Sequence, residues 1–224
     1  MDQTSLKKHG EETPLPAAKK RYPWHRDVIG LLLFIVVVIA GATAINALVF
    51  RSFSVVGPSM EDTLFTNERI VVNRLPVTWS AILGREFMPL RGEIIVFRNP
   101  QFKTGKSDEY IVKRVIALPG ERVTVNDCGV TVYNVQNPKG FNPYDGFDII
   151  DPDTCVTGTD IDYIVPKHRI FVIGDHRNGS YSHDSRNGIG NSSASDSSPA
   201  GIPLEDVVGP VSARIMPVDK FRFF

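Results

Sequence analysis

Cysteine, net charge and metal-binding patterns are scarce in this chain of 224 residues. The two cysteines, Cys128 and Cys155, are too few for a disulfide-built scaffold and lack the Cys-x-x-Cys spacing of a zinc or redox site. Acidic and basic residues balance at 25 each, so the net charge does not indicate a nucleic-acid partner. Since no ligand cluster with metal spacing occurs, we expect neither a metal nor an organic cofactor.

The N-terminal part of the chain divides into a polar and an apolar segment. Residues 1–27 are rich in Lys, Glu and Pro without an apolar period, which predicts a disordered tail. Residues 28–50 contain no charge and as a helix would span roughly 35 Å, enough to cross a hydrocarbon core of ~30 Å. More basic residues precede this segment than follow it, so we expect a single crossing of the cell membrane with a cytoplasmic N-terminus.

A cleaved signal peptide is the alternative to a permanent anchor. Residues 28–40 suit an h-region, and Ala42-Thr43-Ala44 has the small residues of a cleavage site. The apolar character continues to Phe50, however, which favours a transmembrane helix. Both interpretations place residues 51–224 outside the cytoplasm.

The exported part is predicted to be mainly β, an antiparallel β-rich domain with inserted loops. Short runs of β-branched and aromatic residues alternate with Gly, Pro, Asn and Asp, and neither a long helical period nor a βαβ rhythm is present. The predicted strands are Phe53–Val56, Arg69–Arg74, Glu93–Arg98, Tyr110–Ala117, Arg122–Asn126, Val130–Val135, Ile161–Val165, Ile170–Ile173 and Val207–Ile215.

Two segments predict loops. Residues 136–160 are rich in Asn, Pro, Asp and Gly and form an inserted loop with Cys128 and Cys155 near its ends. In an exported domain these cysteines are candidates for a disulfide that would stabilise the fold by ~3 kcal/mol; two unpaired thiols are the alternative. Residues 187–200 predict a second, flexible loop.

A serine and a lysine are the first candidates for chemistry. Ser59 lies in a Gly-Pro turn between two apolar segments, and Lys113 lies among aliphatic residues of a predicted strand. Burial favours the neutral, basic form of a lysine, and a neutral lysine can activate a serine nucleophile. The alternative for Lys113 is an edge-strand lysine with its ammonium group in water.

Four stretches in order resemble the conserved boxes of bacterial type I signal peptidase, a membrane-bound serine protease. They are Gly-Pro-Ser-Met-Glu (57–61), Arg-Gly-Glu-Ile-Ile-Val-Phe (91–97), Val-Lys-Arg-Val-Ile-Ala-Leu-Pro-Gly-Glu (112–121), and Gly-Asp-His-Arg (174–177) with Asp-Ser-Arg (184–186). The resemblance implies that Ser59 is the nucleophile and that Lys113 is the general base and later the acid. It also implies a further serine that orients the lysine, which is Ser182 when counted back from Asp184, or alternatively Ser180.

The resemblance assigns roles to further residues. It implies structural ion pairs Arg114–Asp175 and Asp184–Arg186, for which solvated surface pairs are the alternative. It implies that Met60, otherwise a packing residue, shapes the substrate groove.

The oxyanion site and the histidines need separate consideration. The expected oxyanion donor is the Ser59 N–H, and Gly57 stands where some family members add a serine hydroxyl. A Ser-His-Asp arrangement of Ser59 with His176 or His183 is less favoured because the lysine already supplies a base.

The implied substrates are exported pre-proteins whose signal peptides carry small residues at the first and third positions before the cut. Membrane lipid and a nearby translocation channel are the other expected partners, with no nucleic acid. A self-cleaving protease of the SOS-repressor type is a second hypothesis, which the uncharged segment disfavours. An anchored β-domain that binds without chemistry is a third, and it leaves Ser59 and Lys113 unexplained.

Overall fold

The computed structural model describes residues 24–100, 102–105, 108–126, 129–145, 161–176 and 201–224. The chain divides into two compact units, Met1–Ala42 and Thr43–Phe224. An apolar helix, α1 (Trp24–Leu48), begins in the first unit and has no buried residue. By length and composition α1 can cross a membrane. The predicted segment 28–50 ends too late, because Phe50 pairs with Asn73 in a β-sheet.

Eleven strands occur in the described residues, and most of them form one antiparallel sheet. They are β1 (Phe50–Ser54), β2 (Arg69–Asn73), β3 (Ile94–Arg98), β4 (Tyr110–Ala117), β5 (Arg122–Asn126), β6 (Gly129–Tyr133), β7 (Ile161–Ile164), β8 (Arg169–Ile173), β9 (Ile202–Pro203), β10 (Val207–Met216) and β11 (Arg222–Phe223). The larger sheet has the order β1-β2-β10-β3-β4-β8-β9, with β11 on β10, and the smaller has the order β6-β5-β7. The predicted mainly antiparallel β architecture is confirmed.

The larger sheet carries apolar residues on both faces around β3. Ile94 and Val96 pack in one buried cluster with Met60, Leu64 and Val72. The alternate residues Ile95 and Phe97 pack in a second cluster on the other side. Because side chains alternate along a strand, the run Ile-Ile-Val-Phe is buried throughout and makes β3 the centre of the fold.

The smaller sheet packs around Val123, Val125 and Val132. Phe141 and Tyr144, which fall in the predicted loop 136–160, pack against this cluster, and Phe141 also bridges to Val132. The first part of the predicted loop is therefore an ordered part of the domain. Residues 146–160 and the predicted loop 187–200 lie outside the described residues.

A short helix that the sequence pattern did not predict follows β2. This helix, α2 (Leu75–Ile82), contains no buried residue. Its eight residues are too few to produce a visible helical period, and Pro76 near its start is compatible with the first turn of a helix.

Candidate active site

Ser59 lies in a compact loop that joins β1 to β2. The loop is closed at its base, since the Val55 N–H donates to Glu68 O and the Asn67 N–H donates to Val55 O, each at 2.9 Å. Met60 and Leu64 are fully buried beneath it. These two apolar anchors hold the intervening turn, while Ser59 itself remains half-exposed.

Lys113 reaches the same loop from β4. Its side chain is 2 % exposed, and its Nζ donates a hydrogen bond to Ser59 Oγ. The structure thus brings together the two residues that the sequence singled out for chemistry, and it places the lysine in the interior instead of at a wet strand edge.

Gly174 completes the contact around this pair, and the sequence reasoning did not single it out. A Cβ built at Gly174 would lie 2.2 Å from Ser59 O and 3.4 Å from Lys113 Nζ. The N–H of His176, two residues further along the chain, donates to the same Ser59 carbonyl at 3.2 Å. The backbone at 174–176 therefore fixes the position of the Ser59 peptide, and only a residue without a side chain allows this approach.

A buried ion pair lies next to Lys113. The Arg114 guanidinium donates to both oxygens of Asp175, at 2.9 and 2.6 Å, and also to Gly92 O at 2.6 Å. Both side chains are at most 5 % exposed, so the solvated surface pair considered above is excluded here. Thr63, which the sequence reasoning missed, donates its hydroxyl to Asp175 at 2.6 Å and so ties the Ser59 loop to β4 and to residue 175.

A second buried carboxylate supports the end of the Ser59 loop. Glu68 is 3 % exposed and accepts hydrogen bonds from Arg214 Nη1 and from the Phe65 N–H. Arg214 also donates to Thr63 O at 3.2 Å. Neither Glu68 nor Arg214 has a local sequence signal, because their contact joins positions 146 residues apart.

An apolar cleft of about 270 Å³ opens beside Ser59. Aliphatic side chains form much of its wall, including Val55 directly after β1 and Ile111 and Val112 in β4. On one side β4 pairs with β3 along residues 110–114, whereas its pairing with β8 begins only at Arg114. Among the described strands, residues 110–112 therefore pair only with β3 and present a free edge next to the cleft.

Met60 does not face this cleft. It is 0 % exposed and packs with Val72, Val96 and Val211. This burial agrees with a packing role for Met60, and its part in shaping the substrate groove stays a prediction.

Several predicted residues lie outside the described residues: Cys128, Cys155, Ser180, Ser182, His183, Asp184 and Arg186. His176 is described, and its ring Nδ1 lies 3.7 Å from a Glu61 carboxylate oxygen. The described residues contain no cluster of His, Cys, Asp and Glu that could hold a metal ion.

A serine hydroxyl bonded to a buried amine, beside an apolar cleft and a free strand edge, suits a serine endopeptidase that binds an extended peptide. Comparison with known proteins agrees with this class. The family model described as signal peptidase, peptidase S26, matches residues 28–216.

The chain is also similar to individual signal peptidases. Signal peptidase I P of Bacillus subtilis subsp. natto is 29% identical over 88% of this chain and 93% of its own. Signal peptidase I S of Bacillus subtilis strain 168 is 32% identical over 70% and 77%, and signal peptidase IB of Staphylococcus aureus strain MRSA252 is 28% identical over 88% and 94%. A solved signal peptidase I from Enterococcus faecalis V583 matches 55% of this chain and 96% of that chain at 24% identity, with a TM-score of 0.36.

The chain belongs to the signal peptidase family, peptidase S26. It is a serine endopeptidase that removes signal peptides, and its substrates are pre-proteins that carry them. Family membership excludes both the SOS-repressor type of protease and the binding module without chemistry.

Proposed function

We propose that Ser59 is the nucleophile of this signal peptidase and that Lys113, as a neutral amine, is its general base. The observation that carries the proposal is the hydrogen bond between Lys113 Nζ and Ser59 Oγ inside the protein. An ammonium is stabilised by water, so burial favours the uncharged form. The Lys113 amine is then able to accept the hydroxyl proton.

The reaction proceeds in two halves. Lys113 takes the Ser59 proton as Oγ attacks the scissile carbonyl, and the resulting ammonium then protonates the leaving amine, which frees the mature protein. The signal peptide remains as an ester on Ser59. Water deprotonated by Lys113 attacks this ester, and the proton returns to Ser59 as the acid departs.

The negative charge on the carbonyl oxygen requires donors already in place. We assign the Ser59 N–H to this role, because the backbone at Gly174 and His176 contacts the Ser59 carbonyl and so holds the main chain of Ser59 in position. Gly57, two residues earlier, has φ +94°, a conformation that favours glycine. The turn that presents Ser59 therefore has no hydroxyl at that position, so either a backbone group or water replaces it or the oxyanion site has one donor fewer.

Specificity arises from the cleft beside Ser59. Its small volume and branched lining, Val55, Ile111 and Val112 among others, fit side chains of alanine size and exclude larger ones by overlap. An extended substrate would pair its backbone with the free edge of β4 at residues 110–112. Small residues at the first and third positions before the cut would then point into the cleft, because alternate residues of a strand face the same side.

Two parts of the proposal concern the surroundings of this site. Ser182, with Ser180 as the alternative, orients the Lys113 amine by accepting a hydrogen bond. The helix α1 crosses the cell membrane once with a cytoplasmic N-terminus, which places the protease domain outside the cytoplasm near lipid and the translocation channel. Anchoring the enzyme where signal peptides reside raises their effective concentration.

Cleavage of a purified pre-protein in detergent tests the proposal. Ser59→Ala and Lys113→Ala should each lower kcat at least 1,000-fold, while their melting temperatures show whether they fold. Lys113→Arg is the matched control for charge, since a guanidinium cannot act as a base near neutral pH. Folded Ser59→Ala or Lys113→Ala protein that cuts at the wild-type rate would refute the assignment. Ser182→Ala and Ser180→Ala measured alongside distinguish the two candidates for orienting the lysine.

A further inference from the structure

The apolar face of α2 points away from the protein. Leu75, Trp79 and Ile82 of α2, together with Leu83 directly after it, follow the spacing that places residues on one side of a helix. They are 48 %, 64 %, 70 % and 52 % exposed, whereas Pro76, Val77, Thr78 and Ser80 on the other side are half-buried. A helix on a water-exposed surface has the opposite arrangement, with its apolar stripe against the core.

The same helix is bonded to the C-terminal end of α1. The Arg74 N–H donates to Val49 O at 2.7 Å, Arg74 Nη1 donates to Ala47 O, and the Thr78 hydroxyl donates to Leu48 O at 2.9 Å. The last carbonyls of a helix have no partner within it, and here Arg74, directly before α2, and Thr78 of α2 supply partners at the end of α1. The end of α1 and the beginning of α2 are thus a single hydrogen-bonded corner.

This hydrogen-bonded corner keeps the apolar face of α2 close to the end of α1. The 25 residues of α1 extend about 37 Å, somewhat more than a hydrocarbon core of ~30 Å, so the last turn of a membrane-crossing α1 lies at headgroup level. An eight-residue helix is about 12 Å long. Because its first turn is bonded to α1, all of α2 stays within reach of the bilayer surface.

We propose that α2 is an interfacial helix whose Leu75, Trp79 and Ile82 side chains, with that of Leu83 directly after the helix, insert into the outer boundary between headgroups and acyl chains. The occupant of this face is a lipid surface. Tryptophan suits that depth, because its ring is apolar while its indole N–H can bond to headgroups or water. The inference rests on the proposed membrane crossing of α1 and is independent of the roles assigned to Ser59 and Lys113.

Depth-dependent quenching of tryptophan fluorescence tests the inference on the full chain. The protein has two tryptophans, Trp24 and Trp79, so Trp24→Phe leaves Trp79 as the single reporter. The variant is reconstituted in phosphatidylcholine and phosphatidylglycerol vesicles that contain lipid brominated either near the headgroup or near the end of the acyl chain. We expect at least a twofold loss of Trp79 emission with the shallow label, a smaller loss with the deep label, and protection from aqueous iodide.

Two further variants make the outcomes distinguishable. The first is Trp24→Phe/Trp79→Phe/Val135→Trp, whose single tryptophan replaces Val135, a residue that is 94 % exposed after β6. Emission from this tryptophan should be quenched by iodide and not by the lipid labels. The proposal is overturned if lipid quenches Trp79 no more than it quenches this control. That result would leave a protein partner or a second copy of the chain as the occupant of the face. Trp79→Phe leaves Trp24 as the reporter of α1. Lipid quenching of Trp24 without that of Trp79 refutes only the α2 inference, whereas no lipid quenching of Trp24 refutes the membrane crossing itself.

Discussion

Gly174 has no functional group, but the Ser59 carbonyl occupies the space that a side chain would need. We predict that Gly174→Ala lowers kcat about 100-fold, since an added methyl group must push the Ser59 peptide aside and a small misplacement of reacting groups is costly. Pre-protein cleavage measures the effect, and a thermal melt shows how much of it arises from unfolding.

Gly129→Ala is the matched control for this change. An added Cβ there meets its nearest neighbour at 3.4 Å, an ordinary contact, and lies in β6 of the smaller sheet. This variant should keep the wild-type rate. Equal rates for the two alanine variants would show that Gly174 does not position Ser59.

The Arg114–Asp175 pair is a structural element of the site, and its partners depend on each other. Arg114→Met alone leaves a buried carboxylate without its guanidinium and should cost about 3–5 kcal/mol of unfolding free energy. Arg114→Met/Asp175→Leu removes both charges and should cost less than the single change. Urea unfolding of both variants in detergent measures this, and additive losses would contradict a coupled buried pair.

At the scale of an element, β4 supplies the base, the ion-paired arginine and part of the cleft wall. Val112 lines that wall, so Val112→Ala should admit a larger side chain before the cut. We expect kcat/KM for a substrate with valine at one small-residue position to rise about tenfold relative to the alanine substrate. Val208→Ala, a half-buried change in β10 outside the cleft lining, serves as control. If Val112→Ala prefers the alanine substrate over the valine substrate as strongly as the wild type does, the cleft wall at Val112 does not determine specificity.

Elements with a strong local pattern could be predicted from sequence, and those made by distant pairing could not. The bounds of β4 and β5 agree with the prediction, because both are runs of β-formers between clear turn residues. The sequence places Phe50 in the membrane segment, since its pairing with Asn73 leaves no mark on a continuous apolar run. The short strands β9 and β11 and the helix α2 have too few residues to produce a period.

The same distinction holds within the site. Ser59 and Lys113 stand in recognisable motifs, and the structure brings them together. Thr63, Glu68 and Arg214 are ordinary residues by type, and their importance comes only from contacts across the fold. The burial of Met60 likewise depends on packing that a motif does not contain, and its part in shaping the substrate groove stays a prediction.

At the scale of the whole molecule, Glu121 links the two sheets. It accepts a hydrogen bond at 2.6 Å from Nη2 of Arg91, which precedes β3 of the larger sheet. It accepts another at 2.9 Å from Nδ2 of Asn134, which follows β6 of the smaller sheet. Burial opposes its ionisation, but the hydrogen bonds from Arg91, the Leu118 N–H and Asn134 outweigh burial and hold the pKa of Glu121 below its ordinary value of 4.5.

This carboxylate should make stability depend on pH. Because the pKa of Glu121 is lower in the folded protein, the unfolded chain binds more protons, so the contribution is fully present above about pH 4.5 and is lost as pH falls through the folded pKa. Melting temperatures of wild type and Glu121→Gln should differ most near neutral pH and converge in acid. A difference that stays constant down to pH 3 would show that Glu121 does not contribute by its charge.

The charge state of the Lys113 amine is the most direct test of the catalytic account. In protein labelled with ¹³C and ¹⁵N at lysine, the Lys113 signal is identified by its absence from Lys113→Arg, and its Cε and Nζ chemical shifts distinguish amine from ammonium. We expect the shifts of a neutral amine at the pH where cleavage is fastest. Ammonium shifts at that pH would contradict the assignment of Lys113 as the base that activates Ser59.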